Sequence, residues 1–323
     1  MDSPYSPLEF HLLNDFQRDL PLVAEPFAEI ARRLECTHAE VLSSLARLQR
    51  RGAISRVGAV FAPWRIGVST LAAIAVPPHR LEEVAARVSA RSEVNHNYER
   101  EHRYNLWFVA TAADEAALAA TLAGIESDAD APVMSLPLLE QYHIDLGFDL
   151  CSGMKDRPAT GSFERRQLSA TERQLVGALQ AGLPLVARPF AAIAKQAGMS
   201  ETEVLATIAD WQTTGVVKRL GVIVRHHELG FRANAMVVFD VPDDLIAAVG
   251  ARLAREQGVT LCYRRRRHQP EWSYNLYCMV HGRSREEAHP IIERLRAVVD
   301  RPCEVLFSTR RFKQQGAQYV NAH

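Results

Sequence analysis

Two stretches of this sequence gather residues able to do chemistry. The first, VTLCYRRRRHQPEWSYNLYCMV (Val259 to Val280), carries four consecutive arginines, Arg264 to Arg267, followed by His268. Guanidinium forks match carboxylates and phosphates, and arginine keeps its charge at any ordinary pH. Histidine is the side chain that titrates near neutrality. Tyr263, Trp272, Tyr274 and Tyr277 interleave aromatic surface with this charge. The second stretch, VNHNYEREHRYNLWFV (Val94 to Val109), holds a parallel set: His96, Tyr98, Arg100, His102 and Tyr104. Side chains alternate faces along a strand. Leu261, Tyr263 and Arg265 therefore share one face, Cys262 and Arg264 the other, and His96, Tyr98 and Arg100 share a face of their own strand. The arginine run cannot all address one ligand. Over the whole chain 38 Lys and Arg balance 38 Asp and Glu, so the concentration is local.

The elements that carry these residues occur twice. DLPLVAEPFAEIA from Asp19 and GLPLVARPFAAIA from Gly182 share ten of thirteen positions at an offset of 163. The same offset aligns Arg56 and Gly58 with Arg219 and Gly221. YNLWFV (Tyr104 to Val109) aligns with YNLYCMV (Tyr274 to Val280) at an offset of 170, so the second copy has gained residues around the arginine run. A repeat this long is a duplicated domain pair.

Each copy opens with helices. Pro26 stands at a first helical position before Phe27, Ile30 and Ala31. Thr37 caps a helix with Val41, Leu42, Leu45 and Leu48 on one face, Gly52 ends it, and Ala53 to Phe61 reads as a wing of short strands. Pro189, Ser200, Val204, Leu205, Ile208, Trp211 and Gly215 repeat the pattern. Three helices and a wing make a winged helix-turn-helix. The second half of each copy then reads βαββαβ, the ferredoxin-like order. The expected α+β organisation is a winged helix-turn-helix over 1–65, a ferredoxin-like domain over 66–150, a linker over 151–168, and the same pair over 169–230 and 231–323.

Composition excludes several classes. The longest apolar runs, such as Ser69 to Pro78, fall short of the roughly 20 residues a membrane span needs. MDSPYSPLEF lacks the basic-then-apolar order of a secretory signal, which suggests a cytoplasmic protein. Five scattered cysteines with no C-x-x-C argue against a disulfide framework or a zinc site and for buried thiols.

A winged helix followed by βαββαβ resembles the Lrp/AsnC regulators across nearly all of each copy. The motifs VNHNYEREHRYNLWFV and YRRRRHQPEWSYNLYCMVHG are similar to those of the two subunits of the siroheme decarboxylase family, here fused head to tail. That resemblance implies an intramolecular pseudo-dimer acting as a carboxy-lyase. It implies non-oxidative loss of two acetate carboxyl groups, at C12 and C18, from siroheme. The product is didecarboxysiroheme, on the way to heme d1 or heme. The alternative is a DNA-binding Lrp/AsnC-type regulator or heme sensor without turnover.

An arginine run is ordinarily a solvated loop. The insertion, the aromatics and the motif point instead to a site for siroheme, a flat macrocycle with eight carboxylates. Losing carbon dioxide leaves carbanion character that the macrocycle can delocalise, so no cofactor beyond the iron tetrapyrrole substrate is expected, and no metal of the protein's own. His268 is the first choice as proton donor, then His227, His226 and Tyr263. Arg264, Arg265, Arg267, Tyr274, Arg310 and Arg311, with His96 and Arg100, are expected to bind substrate; His281 is expected to be structural. The duplication suggests two related pockets. The basic second one should hold one siroheme, mostly against residues after Arg219.

The first candidate recognition helix, THAEVLSSLARLQRRG, is basic only at its end, and the second, SETEVLATIADWQTTG, contains no Lys or Arg. Such helices suit neither phosphates nor base edges. No specific DNA partner and no membrane partner is expected, and pairing of two chains into a homodimer is left open. In an anisotropy titration at about 50 mM salt, duplex DNA should bind only weakly and without sequence preference; tight binding to one defined operator would favour the regulator.

Overall fold

The structure, a computed structural model, is described for residues 4–144, 166–225 and 233–316. The first copy runs α1 (Pro7–Asn14), α2 (Pro26–Arg33), α3 (His38–Arg50), β1 (Ile54–Phe61), α4 (Pro63–Ile66), β2 (Val68–Ile74), α5 (Leu81–Ala90), β3 (Val94–Arg100), β4 (Leu106–Ala112), α6 (Glu115–Ala129) and β5 (Met134–Ile144). The second runs α7 (Ala170–Gln180), α8 (Pro189–Ala197), α9 (Glu201–Thr213), β6 (Val217–Val224), β7 (Ala233–Phe239), α10 (Ile246–Leu253), β8 (Val259–Arg265), β9 (Leu276–Gly282), α11 (Arg285–Val299) and β10 (Cys303–Gln314).

The helical parts begin where capping chemistry allows. Ser6, Thr37, Ser169 and Ser200 each accept the backbone N–H of a glutamate three residues on, and that glutamate returns a bond to the cap. Glu203 on the second recognition helix is thus a capping residue. Gly52 and Gly215, each at φ 76°, take the left-handed turn that ends α3 and α9.

The wings depart from expectation. Each is one strand, and β1 pairs antiparallel with β6 of the other copy. Gly58 and Gly221 face each other at the centre of this ribbon. The helices of both copies then share one hydrophobic core, with Leu45, Leu175, Ile208 and Trp211 all fully buried in it. Turns between helices reach across: Leu183 N–H donates to Val57 O at 2.7 Å, and Val222 N–H to Phe16 O at 2.7 Å.

The two βαββαβ sheets close into one eight-stranded barrel, ordered β10-β3-β4-β2-β5-β8-β9-β7. The edges of each sheet are paired by the other, β5 to β8 and β10 to β3. Helices α5 and α6 cover one half from outside, packing on Ala72, Phe108 and Ala110. Helices α10 and α11 cover the other, on Val237, Cys278 and Val280. The buried thiols of Cys262 and Cys278 meet there, sulfur to sulfur 3.5 Å, as free cysteines. Among the described residues no helix is long and apolar enough to cross a membrane.

Inside the barrel, part of the space is filled. Trp107, Trp272, Tyr104 and Tyr277 pack together with Leu136, Val238 and Leu306. Trp272 is 2% exposed and donates its indole N–H to Tyr277 Oη at 2.7 Å. It comes from the residues gained by the second copy, so the insertion supplies an aromatic plug.

The ribbon tolerates no side chain at its centre. A Cβ on Gly221 would lie 2.2 Å from the backbone oxygen of Gln17, whereas one on Gly58 would lie 3.0 Å from Gly182 Cα. Gly221→Ala should lower stability by about 1–3 kcal/mol or more, read by denaturant unfolding, and Gly58→Ala by less; equal, small losses would show that the ribbon does not depend on this approach.

Candidate active site

The space left in the barrel is a cavity of about 660 Å³ lined from both copies. His96, Tyr98 and Arg100 reach it from β3, Leu261, Tyr263 and Arg265 from β8, and Tyr277, Met279 and His281 from β9. Leu71, Val109 and Met236 add apolar wall. The ribbon closes on it with Arg56, Lys218, Arg219 and Arg225. Tyr98 and Arg100 are echoed by Tyr263 and Arg265 at a constant offset of 165, so both halves supply the same pair. Two pockets, one built mainly from each copy, were expected from the duplication; among the described residues this cavity is instead shared, with polar wall from both copies and more of it from the second.

Arg100 is held deep in the barrel. Its Nη1 donates to Leu306 O at 2.8 Å and its Nη2 to Asn234 Oδ1 at 3.3 Å. Burial lowers its pKa to about 10. Arg265 donates to Leu136 O at 2.9 Å and lies over the rings of Tyr263 and Tyr277. Burial lowers its pKa too. Each guanidinium keeps an Nε without a partner. The same burial raises the phenols of Tyr98 and Tyr263, which stay protonated.

Both cavity histidines are neutral at ordinary pH. Burial lowers His96 to about 4; burial, then the charge of Arg100, lowers His281 to about 4. Thr260 donates its one hydroxyl hydrogen to Met279 O at 3.1 Å and so accepts from His281 Nδ1 at 2.8 Å. His281 Nε2 is left to accept from Asn234 Nδ2 at 3.2 Å. The chain Arg100–Asn234–His281–Thr260 thus spans both copies. His96 makes an edge contact with Tyr98, and among the described residues no hydrogen bond engages its ring.

Of the residues expected to form the site, Tyr263, Arg265, His96 and Arg100 meet in the cavity. Others stand elsewhere. His268 does not line it: the side chain is 44% exposed in a turn, beside Glu271 at 4.0 Å, because that turn is shaped by backbone bonds with Trp272. The geometry therefore withdraws His268 as the proton donor. Arg264 pairs with Asp243 outside the barrel, and Arg267 bonds Asp240, Asp243, Val241 O and Ser273 O, which pins the insertion. Tyr274 donates to Glu304 beside the aromatic plug. Arg310 is exposed between Glu82 and Glu99, and Arg311 bonds Gln314. These arginines anchor strands and turns, not the cavity. His226 and His227 lie outside the described residues.

Several cavity residues went unassigned in the sequence. His281 was expected to be structural, yet alternation from Tyr277 through Met279 places it on the inward face. Arg56 and Arg219 were visible as an aligned pair, but nothing local said that the wing would close a barrel in the other half of the fold. Asn234, Thr260 and Lys218 carried no signal.

The chain matches two family models, each twice. One is the AsnC-like ligand binding domain, over 65–143 and 228–313; the other is the siroheme decarboxylase NirDL-like HTH domain, over 9–54 and 172–217. The chain is similar to the siroheme decarboxylase NirDL subunit of Paracoccus denitrificans (strain Pd 1222), 45% identical over 317 residues and 96% of either chain. A crystal structure of the siroheme decarboxylase NirDL superposes with TM-score 0.72 at 29% identity, over 97% of this chain and 94% of that one. A second, of that enzyme in co-complex with an iron-uroporphyrin III analogue, gives 0.69 at 28% identity, over 97% and 93%. With both modules present in duplicate and likeness running through nearly the full length, the chain belongs to the siroheme decarboxylase NirDL family.

Proposed function

We propose that this chain removes carbon dioxide from two acetate side chains of siroheme inside the barrel cavity. The observation that carries the reading is the lining itself. A cavity of about 660 Å³ combines the buried guanidinium of Arg100 and the half-buried one of Arg265 with two neutral imidazoles and an apolar wall. A polycarboxylate macrocycle with a central iron needs each of these.

Each turnover breaks the bond between the acetate methylene and its carboxylate carbon. Carbon dioxide leaves, the electron pair stays on the methylene and spreads into the ring, and one proton makes the methyl group. Arg100 and Arg265 suit carboxylates that remain, because a strong ion pair on the reacting one would stabilise the ground state. The reacting carboxylate fits against Leu71, Val109, Met236, Leu261 and Met279, where it loses water and its charge disperses as the bond breaks. His96, neutral and without a hydrogen-bond partner among the described residues, offers a lone pair to the substrate's iron. Tyr98 and Tyr263 keep their protons and can donate hydrogen bonds.

Anaerobic incubation of the full chain with siroheme, followed by mass, should show loss of two carbon dioxide units, and an absorbance titration should saturate at one siroheme per chain. Unchanged siroheme that nevertheless binds would favour a sensor. Arg100→Ala and Arg265→Ala should weaken binding by about 1.5–3 kcal/mol, roughly 10- to 150-fold. His268→Ala should stay within about two-fold of the parent, as an exposed side chain outside the cavity. His96→Ala should alter the visible spectrum of bound siroheme.

The cavity histidines also set a pH limit. Their folded pKa of about 4 lies below the ordinary 6.5. The unfolded chain therefore takes up protons that the folded one refuses as pH falls. Their contribution is complete above 6.5 and is lost as pH drops toward 4. Denaturant midpoints should fall through that window, and less steeply in a His96→Gln, His281→Gln double variant.

A further inference from the structure

The reaction needs a proton at carbon, and most groups in the cavity hold theirs too weakly or too tightly. At pH 7 an imidazole with a pKa near 4 carries a proton in only about one molecule per thousand. The guanidiniums and the phenols of Tyr98 and Tyr263 keep their protons. Lys218, on β6, is the one ammonium among the described lining residues. Its Nζ donates to Gln141 Oε1 at 2.7 Å, which ties the ribbon to β5 where Gln141 stands opposite Tyr263.

We propose that Lys218 is the general acid of the decarboxylation, protonating the methylene carbon from the ribbon side of the cavity. This rests on the decarboxylase reading. The ammonium gives its proton to the carbon as the electron pair returns from the ring, a C–H bond forms, and the neutral amine is reprotonated from solvent. Burial lowers the amine to about 7, so the proton is both present and releasable near neutrality. The charged and titratable groups around the same cavity are Arg56 and Arg219 on the ribbon with Arg225 just beyond it, Tyr263 and Arg265 on β8, Tyr277 and His281 on β9, and Tyr98, Arg100 and His96 on β3. Glu115 is the carboxylate among its described lining residues, and His143 lies two residues along β5 from Gln141. A bound polycarboxylate adds negative charge and raises the amine further, so the complex enters the reaction with Lys218 protonated. The pseudo-equivalent position in the first copy is Ser55, at the offset of 163, so the acid is present once.

The test is anaerobic single-turnover decarboxylation of siroheme by the full chain from about pH 6 to pH 10, with Lys218→Arg and Lys218→Met beside the parent. The parent rate should fall on the alkaline side, because the acid must be protonated. Lys218→Arg keeps the charge and should bind siroheme within about three-fold, yet form product about 10²-fold or more slowly, as should Lys218→Met. A parent rate flat to pH 10, or Lys218→Arg turning over like the parent, would overturn the proposal while leaving the decarboxylase reading intact. No product from the parent would remove both.

Discussion

The structure depends on the closing of one barrel by two half-barrels. Each βαββαβ sheet alone leaves two edges of unpaired backbone groups and an inner face carrying Arg, His and Tyr. Pairing β5 with β8 and β10 with β3 satisfies those edges together. It also takes the inner faces out of bulk water. The neutral histidines, the weakened guanidiniums and the strengthened phenols all follow from that enclosure, since burial is the first cause of each shift. The short barrel link Arg100–Asn234–His281 exists only because β3 of one copy and β7 of the other share one interior.

The ends of the cylinder are finished by parts with other origins in the chain. The ribbon β1–β6 brings Arg56, Lys218, Arg219 and Arg225 onto the cavity. In this arrangement the helix-turn-helix parts act as a frame that holds the ribbon. Their two sets of helices share a core, and turns of one copy bond the wing of the other. The insertion of the second copy fills interior space with Trp272, and Arg267 fastens it to Asp240 and Asp243. Duplication therefore supplied two matching walls and the aligned pair Arg56 and Arg219, and divergence supplied Lys218, Arg225 and an aromatic plug.

Charge counts for more by position than by number. Arg264 and Arg267 sit beside carboxylates at the surface, where water and salt reduce an ion pair to little. Arg265 and Arg100 act in a medium of far lower effective dielectric, where the same unit charge exerts several times the force.

Much of this was legible in the sequence. The repeat, the helix caps at Thr37 and Ser200, and the βαββαβ order are local signals, set by hydrogen bonding and side-chain periodicity within a few residues. Alternation correctly separated Leu261, Tyr263 and Arg265 from Cys262 and Arg264, and grouped His96, Tyr98 and Arg100. Of the arginine run and His268, only Arg265 lines the cavity, because a linear pattern reports charge without reporting which face is turned inward. Only the tertiary structure decided that β1 would pair with β6, that both copies would line one cavity, and that Lys218, Arg219 and His281 would join residues more than a hundred positions away. Closure is set by edge strands meeting across the two copies, and such long-range pairing leaves no periodic mark in the residues that it brings together.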